Sequence, residues 1–355
     1  MRERPKTVLA ARLGKDDAEA FDAFVRASPY AAYQQSRAWA ENAPRSRRHD
    51  YLCFLCLDGN DVIGTAVVRR TRLGPAAALA TVQRGPVVAD PARLEEVVQA
   101  LKQALKKDGF TTLVVGPRIT GEERAVAVDD LARCGFRPLP AHRQPLHIVT
   151  GKIALDGSEE QILGGFKQRS RRWIRKLVSS GITVRDAADT DMAACEALLH
   201  AFHARRPGYD ASGQASLEAQ AKLVAAEGGA FLVAEQEGRL VGYHSFVRQG
   251  RDAIWLAMVT DDDPQAPRSY LLVWEGLCRA KALGLASYDV AGLAPDNQSG
   301  RDQFKNGFAP EREDLLPAQV CALRPVRHAI FFGSRQLYRA AGARLRARAA
   351  SHAAR

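Results

Sequence analysis

Apolar and polar positions follow the same grammar in two stretches of the chain. YLCFLCLDGNDVIGTAVV (51–68) reads as strand, tight turn, strand, with Asp58-Gly59 marking the turn. AFLVAEQEGRLVGYHSFV (230–247) repeats the pattern, and Gly242 answers Gly64 at an offset of 178 residues. A further apolar stretch follows each hairpin, around Leu79–Val82 and Ile254–Val259. Helical periodicity comes next, over 92–109 and 269–284, each run closing on a glycine suited to a helix C-terminus. Short buried strands are expected at 111–116 and 286–292, and LARCGFRP (131–138) answers QFKNGFAP (303–310) as a return strand. Five elements repeated in order predict a duplicated α+β architecture with mixed sheets. The polar-to-apolar change between His142 and Leu155 sets the expected boundary, giving halves of 1–150 and 151–355.

The second half opens on a distinctive helical pattern. Ser158 followed by Gln161 is a capping-box signature, and Ile162, Phe166, Trp173, Ile174 and Leu177 form an apolar stripe. Read as one helix, this puts Lys167, Arg171 and Arg175 on an outer face, with Arg169, Arg172 and Lys176 beside them. The chain of 355 residues carries a net charge of +11. The six cations of this helix and eight arginines from Arg324 to Arg355 outnumber that surplus, so the rest of the chain is slightly acidic. Such local basicity points to a polyanionic partner, with a solvated helix face and a solubilising tail as the ordinary alternative.

Other patterns exclude chemistry. No run approaches 18 apolar residues, and the N-terminal apolar run is too short for a signal sequence, so a cytoplasmic location is expected. Six scattered cysteines fit a reducing environment; Cys53 and Cys56 lie in a strand pattern that turns them to opposite faces, so no metal site is expected. No paired carboxylates, Cys–His pair or Ser–His–Asp order stands out, and no covalent enzyme intermediate is expected. His203 and His244 read as structural, and Asp289 as a local turn or a polar anchor. The segment TDDDPQAPRS (260–269) precedes the second repeated helix, where an acetyltransferase would hold the coenzyme A pyrophosphate. It has no glycine, two prolines and three consecutive acids, which disfavours that donor.

Six segments, in order, carry a resemblance. They are Tyr33-Gln34-Gln35-Ser36 with Trp39; Arg84-Gly85-Pro86-Val87; and Leu155 to Glu160 with Arg169 to Lys176 and Gly181. They continue with Arg205-Arg206-Pro207-Gly208-Tyr209; Trp274-Glu275 with Gly284, Tyr288-Asp289 and Gly292; and Phe304-Lys305 with Gly307-Phe308. Together they resemble the Fem family of aminoacyl-tRNA-dependent peptidyltransferases. The resemblance implies two tandem GNAT-like acyltransferase domains, here without the long coiled-coil arm of many members, because only about twenty residues separate Tyr209 from the next strand. It implies transfer of an amino acid from aminoacyl-tRNA to an amine of a peptide acceptor, either a peptidoglycan precursor in cell-wall synthesis or a natural-product peptide. Lys305 is then the expected catalytic residue, facing the tetrahedral oxyanion, with Phe304 beside it to stack on the terminal adenine or pack in the core. Arg37, Arg205 and Arg206 are candidates for the acceptor's phosphates. Lys167, Arg169, Arg171, Arg172, Arg175 and Lys176 are the expected tRNA contacts. No cofactor or metal is implied; a monomer is expected, with peripheral contact to the inner membrane face through the arginine-rich tail. The competing functions are a coenzyme A- or carrier-dependent N-acyltransferase and a non-catalytic duplicate that binds RNA or an anionic membrane.

Overall fold

Alternating hairpins need a sheet with both faces covered, and each repeat supplies one. The computed structural model describes residues 5–74, 77–205, 216–261, 263–294 and 299–329. In the first half the strands are β1 (Lys6–Ala10), β2 (His49–Asp58), β3 (Asp61–Gly74), β4 (Ala77–Arg84), β5 (Val87–Val88), β6 (Thr112–Pro117) and β7 (Arg137–Pro138). The helices are α1 (Lys15–Ala27), α2 (Arg37–Asn42), α3 (Leu94–Lys107) and α4 (Glu123–Arg133). The second half holds β8 (Val149–Ala154), α5 (Glu159–Gly165), α6 (Gln168–Val178), β9 (Thr183–Asp186), α7 (Met192–Ala204), α8 (Leu217–Glu227), β10 (Ala230–Gln236) and β11 (Arg239–Gln249). It continues with β12 (Asp252–Thr260), α9 (Ser269–Ala282), β13 (Ser287–Asp289), α10 (Gly300–Lys305), β14 (Glu311–Asp314) and a last strand, β15 (Gln319–Ala322).

The first sheet runs β1-β2-β3-β4-β6-β15-β7, with β5 on β3; the second runs β14-β8-β13-β12-β11-β10-β9. The expected division at 150/151 therefore misses one crossing: β15, from the end of the second half, inserts between β6 and β7. Val320 and Cys321 are buried there. β15 pairs with β6 from Gln319↔Val115 to Ala322↔Thr112 and with β7 at Gln319↔Pro138 and Val320↔Arg137.

The duplication extends to its irregularities. The β2–β3 ladder slips after Cys56, opposite Gly64, and the β10–β11 ladder slips after Ala234, opposite Gly242. A Cβ on Gly64 would lie 2.5 Å from Val97 of α3, and one on Gly242 would lie 2.9 Å from Leu272 of α9. The repeated glycine lets a helix pack close against a bulged hairpin, so it is a packing requirement rather than a phosphate loop. Cys53 and Cys56 do turn to opposite faces, each into a separate apolar cluster.

The two halves differ where their central parallel strands meet. In the first half β4 and β6 pair over six residues, from Leu79↔Thr112 to Arg84↔Pro117. There β3 separates from β4 beyond Arg69↔Thr81, and Gln35 fills the gap. Its Oε1 accepts from the Val67 N–H at 2.9 Å, and its Nε2 donates to the Gln83 carbonyl at 2.6 Å. A Cβ at Gly85 would sit 2.4 Å from Gln35 Oε1. The Tyr33–Ser36 and Arg84–Val87 motifs are thus parts of one plug, with Ser36 capping α2 through the Trp39 N–H at 3.1 Å. In the second half β12 and β13 pair over only three residues, Asp252↔Ser287 to Ile254↔Asp289, and then part.

The halves are tied by α2 packing on α8 and by an apolar cluster that takes Tyr33, Ala38 and Trp39 into the second half's core. Arg118, beyond β6, pairs with Asp252 of β12 at 3.2 Å. Replacing Gln35 by Ala strands a buried N–H and a buried carbonyl, and should cost roughly 2–4 kcal/mol in chemical denaturation. A loss below about 0.5 kcal/mol, typical of a neutral surface change, would contradict the plug.

Candidate active site

What parts β12 from β13 is a single carboxylate. Asp289, 4 % exposed, accepts from the Ala291 N–H at 2.7 Å and from the Thr150 hydroxyl. Ala291 is driven to φ +60°, and the Val290 N–H turns away to the Gly151 carbonyl at 2.8 Å. The chain leaves β12, and a cavity of about 1350 Å³ opens between them. Asp289 is therefore the local turn, and it faces no cation within ion-pair distance among the described residues.

The open flank of β12 supplies one wall through Trp255, Met258 and Thr260; segment 291–294 and α10 supply the other. Residues 144–148 of the inter-half connection line it, and Tyr33 and Trp39 reach in from the first half. No aspartate or glutamate lines it among the described residues, whereas Arg301 and Lys305 both do.

Lys305 is 7 % exposed. Its Nζ donates to the Gly292 carbonyl at 2.9 Å and lies 5.2 Å from the centre of the Trp255 ring. Burial, then the nearby Arg301 charge, pull this ammonium down from its usual value to about 8, against Asp289 and Asp302. Trp255 is braced from beneath. His244 packs edge-on against it at 4.8 Å between ring centres, donates from Nδ1 to the Ala257 carbonyl at 2.9 Å, and accepts at Nε2 from the Tyr288 hydroxyl at 2.5 Å. Burial holds His244 near pKa 4, so it is a neutral structural imidazole, as expected.

His147 packs its ring on Gly292, where a Cβ would come within 2.7 Å. Burial first, then Arg84, Lys305 and Arg301, push it to about 3, leaving a neutral hydrogen-bonding group in the cavity wall. Phe304 meets Tyr270, Phe308 and Trp255 edge-on and also lines the cavity, so it serves core and site together. Lys305 ends a helix, and Gly307-Phe308 forms a single 3-10 turn rather than the expected strand, which begins at Glu311.

The basic helix departs from expectation. The capping box is present at Ser158 and Gln161, but the helix breaks after Gly164-Gly165, and Lys167 becomes the N-cap of α6. Consecutive glycines disfavour continuation, and the broken end leaves carbonyls without donors. Arg171 turns back to supply them, donating to the Gly164 carbonyl at 2.9 Å and to that of Phe166. Arg171 thus caps the broken helix end through Nη1. Lys176 donates to the Gln265 carbonyl at 3.2 Å and covers Trp173. Lys167, Arg169, Arg172 and Arg175 are exposed. The start of α6 adjoins the turn that follows Lys305, with the Lys167 N–H on the Gly307 carbonyl at 2.9 Å.

Of the acceptor candidates, neither Arg37 nor Arg205 lines the cavity. Arg37 makes a two-pronged pair with Asp22, Nε at 2.9 Å and Nη2 at 2.5 Å, and does not line the cavity. Arg205 lies at the rim, donating to the Thr260 carbonyl at 3.1 Å. Arg206 lies outside the described residues, as does the tail from 330 onward. His203, on α7, does not line the cavity. Arg301, Trp255 and His147 escape the sequence reading. Only Arg301 carried a usable signal, standing four residues before Lys305 on a helical face.

The turn before α9 does not fit a coenzyme A pyrophosphate. Arg268, 5 % exposed, pairs with Asp263 at 2.5 Å and approaches Asp261 at 3.6 Å. Asp263 also accepts from the Gln265 N–H at 2.9 Å. These carboxylates put negative charge in the turn that leads into α9, which would repel an anion at its N-terminus. Among the described residues no cluster suited to a metal occurs, and no helix is long and apolar enough to cross a membrane.

The FemAB family matches residues 17–130, and the Acetyltransferase (GNAT) domain matches residues 164–306. Among solved structures, FemX shares 15% identity at a TM-score of 0.76, covering 92% of this chain and all of its own. L-PGS from Bacillus licheniformis shares 13% at 0.55, covering 93% of this chain and 98% of its own. A tandem GNAT protein from the clavulanic acid biosynthesis pathway shares 12% at 0.54, covering 90% and 99%. No curated protein matches the sequence significantly.

Lysine NMR titration should place one ammonium, that of Lys305, near pH 8, and Arg301→Gln should move it upward. An ordinary titration near 10.5 in the parent protein would contradict this electrostatic picture.

Proposed function

We propose that this chain, which resembles the Fem family and has a tandem GNAT-like fold, moves an amino acid from an aminoacyl-tRNA ester to an amine, within the cavity of its second half. The observation that carries this reading is the placement of charge. The turn before α9 carries Asp261 and Asp263 around Arg268, which disfavours a pyrophosphate, while the cavity presents Lys305 with no lining carboxylate among the described residues.

In the proposed reaction the acceptor nitrogen attacks the ester carbonyl carbon. A C–N bond forms, the carbonyl oxygen carries negative charge in the tetrahedral intermediate, and the C–O bond to the terminal ribose then breaks. The amine gives up one proton and the ribose hydroxyl gains one, so nothing else is consumed. Lys305 holds an ammonium beside the developing oxyanion, fixed by the Gly292 carbonyl and the Trp255 face, in surroundings that strengthen its field. Neutral His147 offers a hydrogen bond to the polar groups beside it. Lys167, Arg169, Arg172 and Arg175 carry the tRNA backbone away from the catalytic turn. The acceptor is proposed to be a peptide amine, from a cell-wall precursor or a natural-product peptide, met by a cytoplasmic monomer with its basic tail near the inner membrane face.

Lys305→Ala should lower single-turnover transfer from charged tRNA by about 10²–10³-fold, with a much smaller change in tRNA affinity. Loss of tRNA binding alone would overturn the oxyanion role. Because the ammonium form is required, transfer should decline as pH rises through about 8. A rate still climbing well above that pH would contradict it. Reversing Arg172 and Arg175 to Glu should weaken tRNA binding and flatten its salt dependence by roughly 1.5 in log–log slope. Arg171→Ala should instead lower the melting temperature. Affinity unchanged in the double reversal would return α6 to a solvated face.

A further inference from the structure

Arg301 and Lys305 stand one helical turn apart on the same side of α10, and both line the cavity. Lys305 is held at the floor by the Gly292 carbonyl. Arg301 is exposed, and makes no hydrogen bond or ion pair among the described residues. The nearest acids are committed elsewhere. Asp302 accepts from the Ser299 hydroxyl and from the Ala294 N–H at 3.0 Å, and Asp289 accepts from Thr150 and Ala291. Arg84 adds a third positive charge behind the His147 wall, 7 % exposed, with its Nη2 on the His147 carbonyl at 2.8 Å. A cavity with this much positive charge and no lining carboxylate calls for an anion, and a guanidinium at its mouth suits a phosphate.

We infer that Arg301 forms a phosphate subsite for the 5′-phosphate of the donor's terminal nucleotide, with the reacting ester one ribose further in, at Lys305. This rests on the proposed aminoacyl-tRNA reading. Side chains at i and i+4 are separated by roughly 5–6 Å at their Cβ atoms, comparable to the width of the ribose that joins the 3′ ester to its own 5′ phosphate. The aromatic edge of Phe304 lies on the same short helix and borders the space left for the base.

Calorimetry on the full chain with adenosine and adenosine 5′-monophosphate tests this directly. The parent protein should favour the monophosphate by about 10- to 100-fold, the range expected for a charge-assisted pair. Arg301→Gln should bring the ratio close to 1, and Arg301→Lys should restore part of it. A preference that survives in Arg301→Gln, or is missing in the parent, overturns the subsite. So does an Arg301→Gln effect confined to the KM of a phosphorylated acceptor, which would assign the guanidinium to the other substrate. The two readings can fail separately. An Arg301-dependent preference with no transfer from charged tRNA upholds the subsite and sinks the reaction; transfer with no such preference does the reverse.

Discussion

The bend at Asp289 decides the architecture of the site. One carboxylate captures the N–H of Ala291, and β13 leaves its parallel partner after three paired residues. Everything that matters chemically stands in the space this creates. Gly292, next along, offers its carbonyl to Lys305 and its bare Cα to the His147 ring. Trp255 lies on the part of β12 that has lost its neighbour, so its ring can carry the lysine ammonium. In the first half the matching strands stay paired over six residues, and Gln35 fills the neighbouring break in hydrogen bonding. Duplication produced two similar sheets, and one of them is sealed.

Positive charge in the open half stands away from the helix N-terminus at which the fold ordinarily holds an anion. A helix N-terminus holds a pyrophosphate through backbone N–H groups. In the turn leading into α9, Asp263 and Asp261 stand around a buried Arg268 and would repel such an anion. Positive charge is carried instead by side chains on α10 and on the outside of α6, and these two helices meet at the bond between Lys167 and Gly307. A long polyanion can be followed by scattered side chains, whereas a compact pyrophosphate needs one concentrated cradle. The acyltransferase fold is retained, and the proposed donor is one that such scattered charge can follow.

Much of the fold was legible because duplication leaves a periodic record. The two hairpins, the matching glycines at 64 and 242, and the capping box at Ser158 and Gln161 follow from local pattern. Less local features were not. The basic run reads as one helix until Gly164-Gly165 is weighed against it, and nothing in the charge pattern distinguishes Arg171 as a cap for its own broken helix. The crossing of β15 into the first sheet depends on which half lacks a strand, a property of the assembled core. At the site, Lys305 was legible through a motif, but its surroundings were not. Trp255 and His147 come from segments 50 and 158 residues distant in sequence, joined to Lys305 only because Asp289 bends the chain between them.

The most direct measurement follows label from two competing donors. The full chain is incubated with tRNA charged with radiolabelled amino acids, or with labelled acetyl-coenzyme A, and a mixed pool of peptide amines. A donor site built from Lys305, with carboxylates in the turn before α9, predicts label passing from tRNA into amide-linked product and none from coenzyme A. Transfer from acetyl-coenzyme A but not from charged tRNA would contradict it.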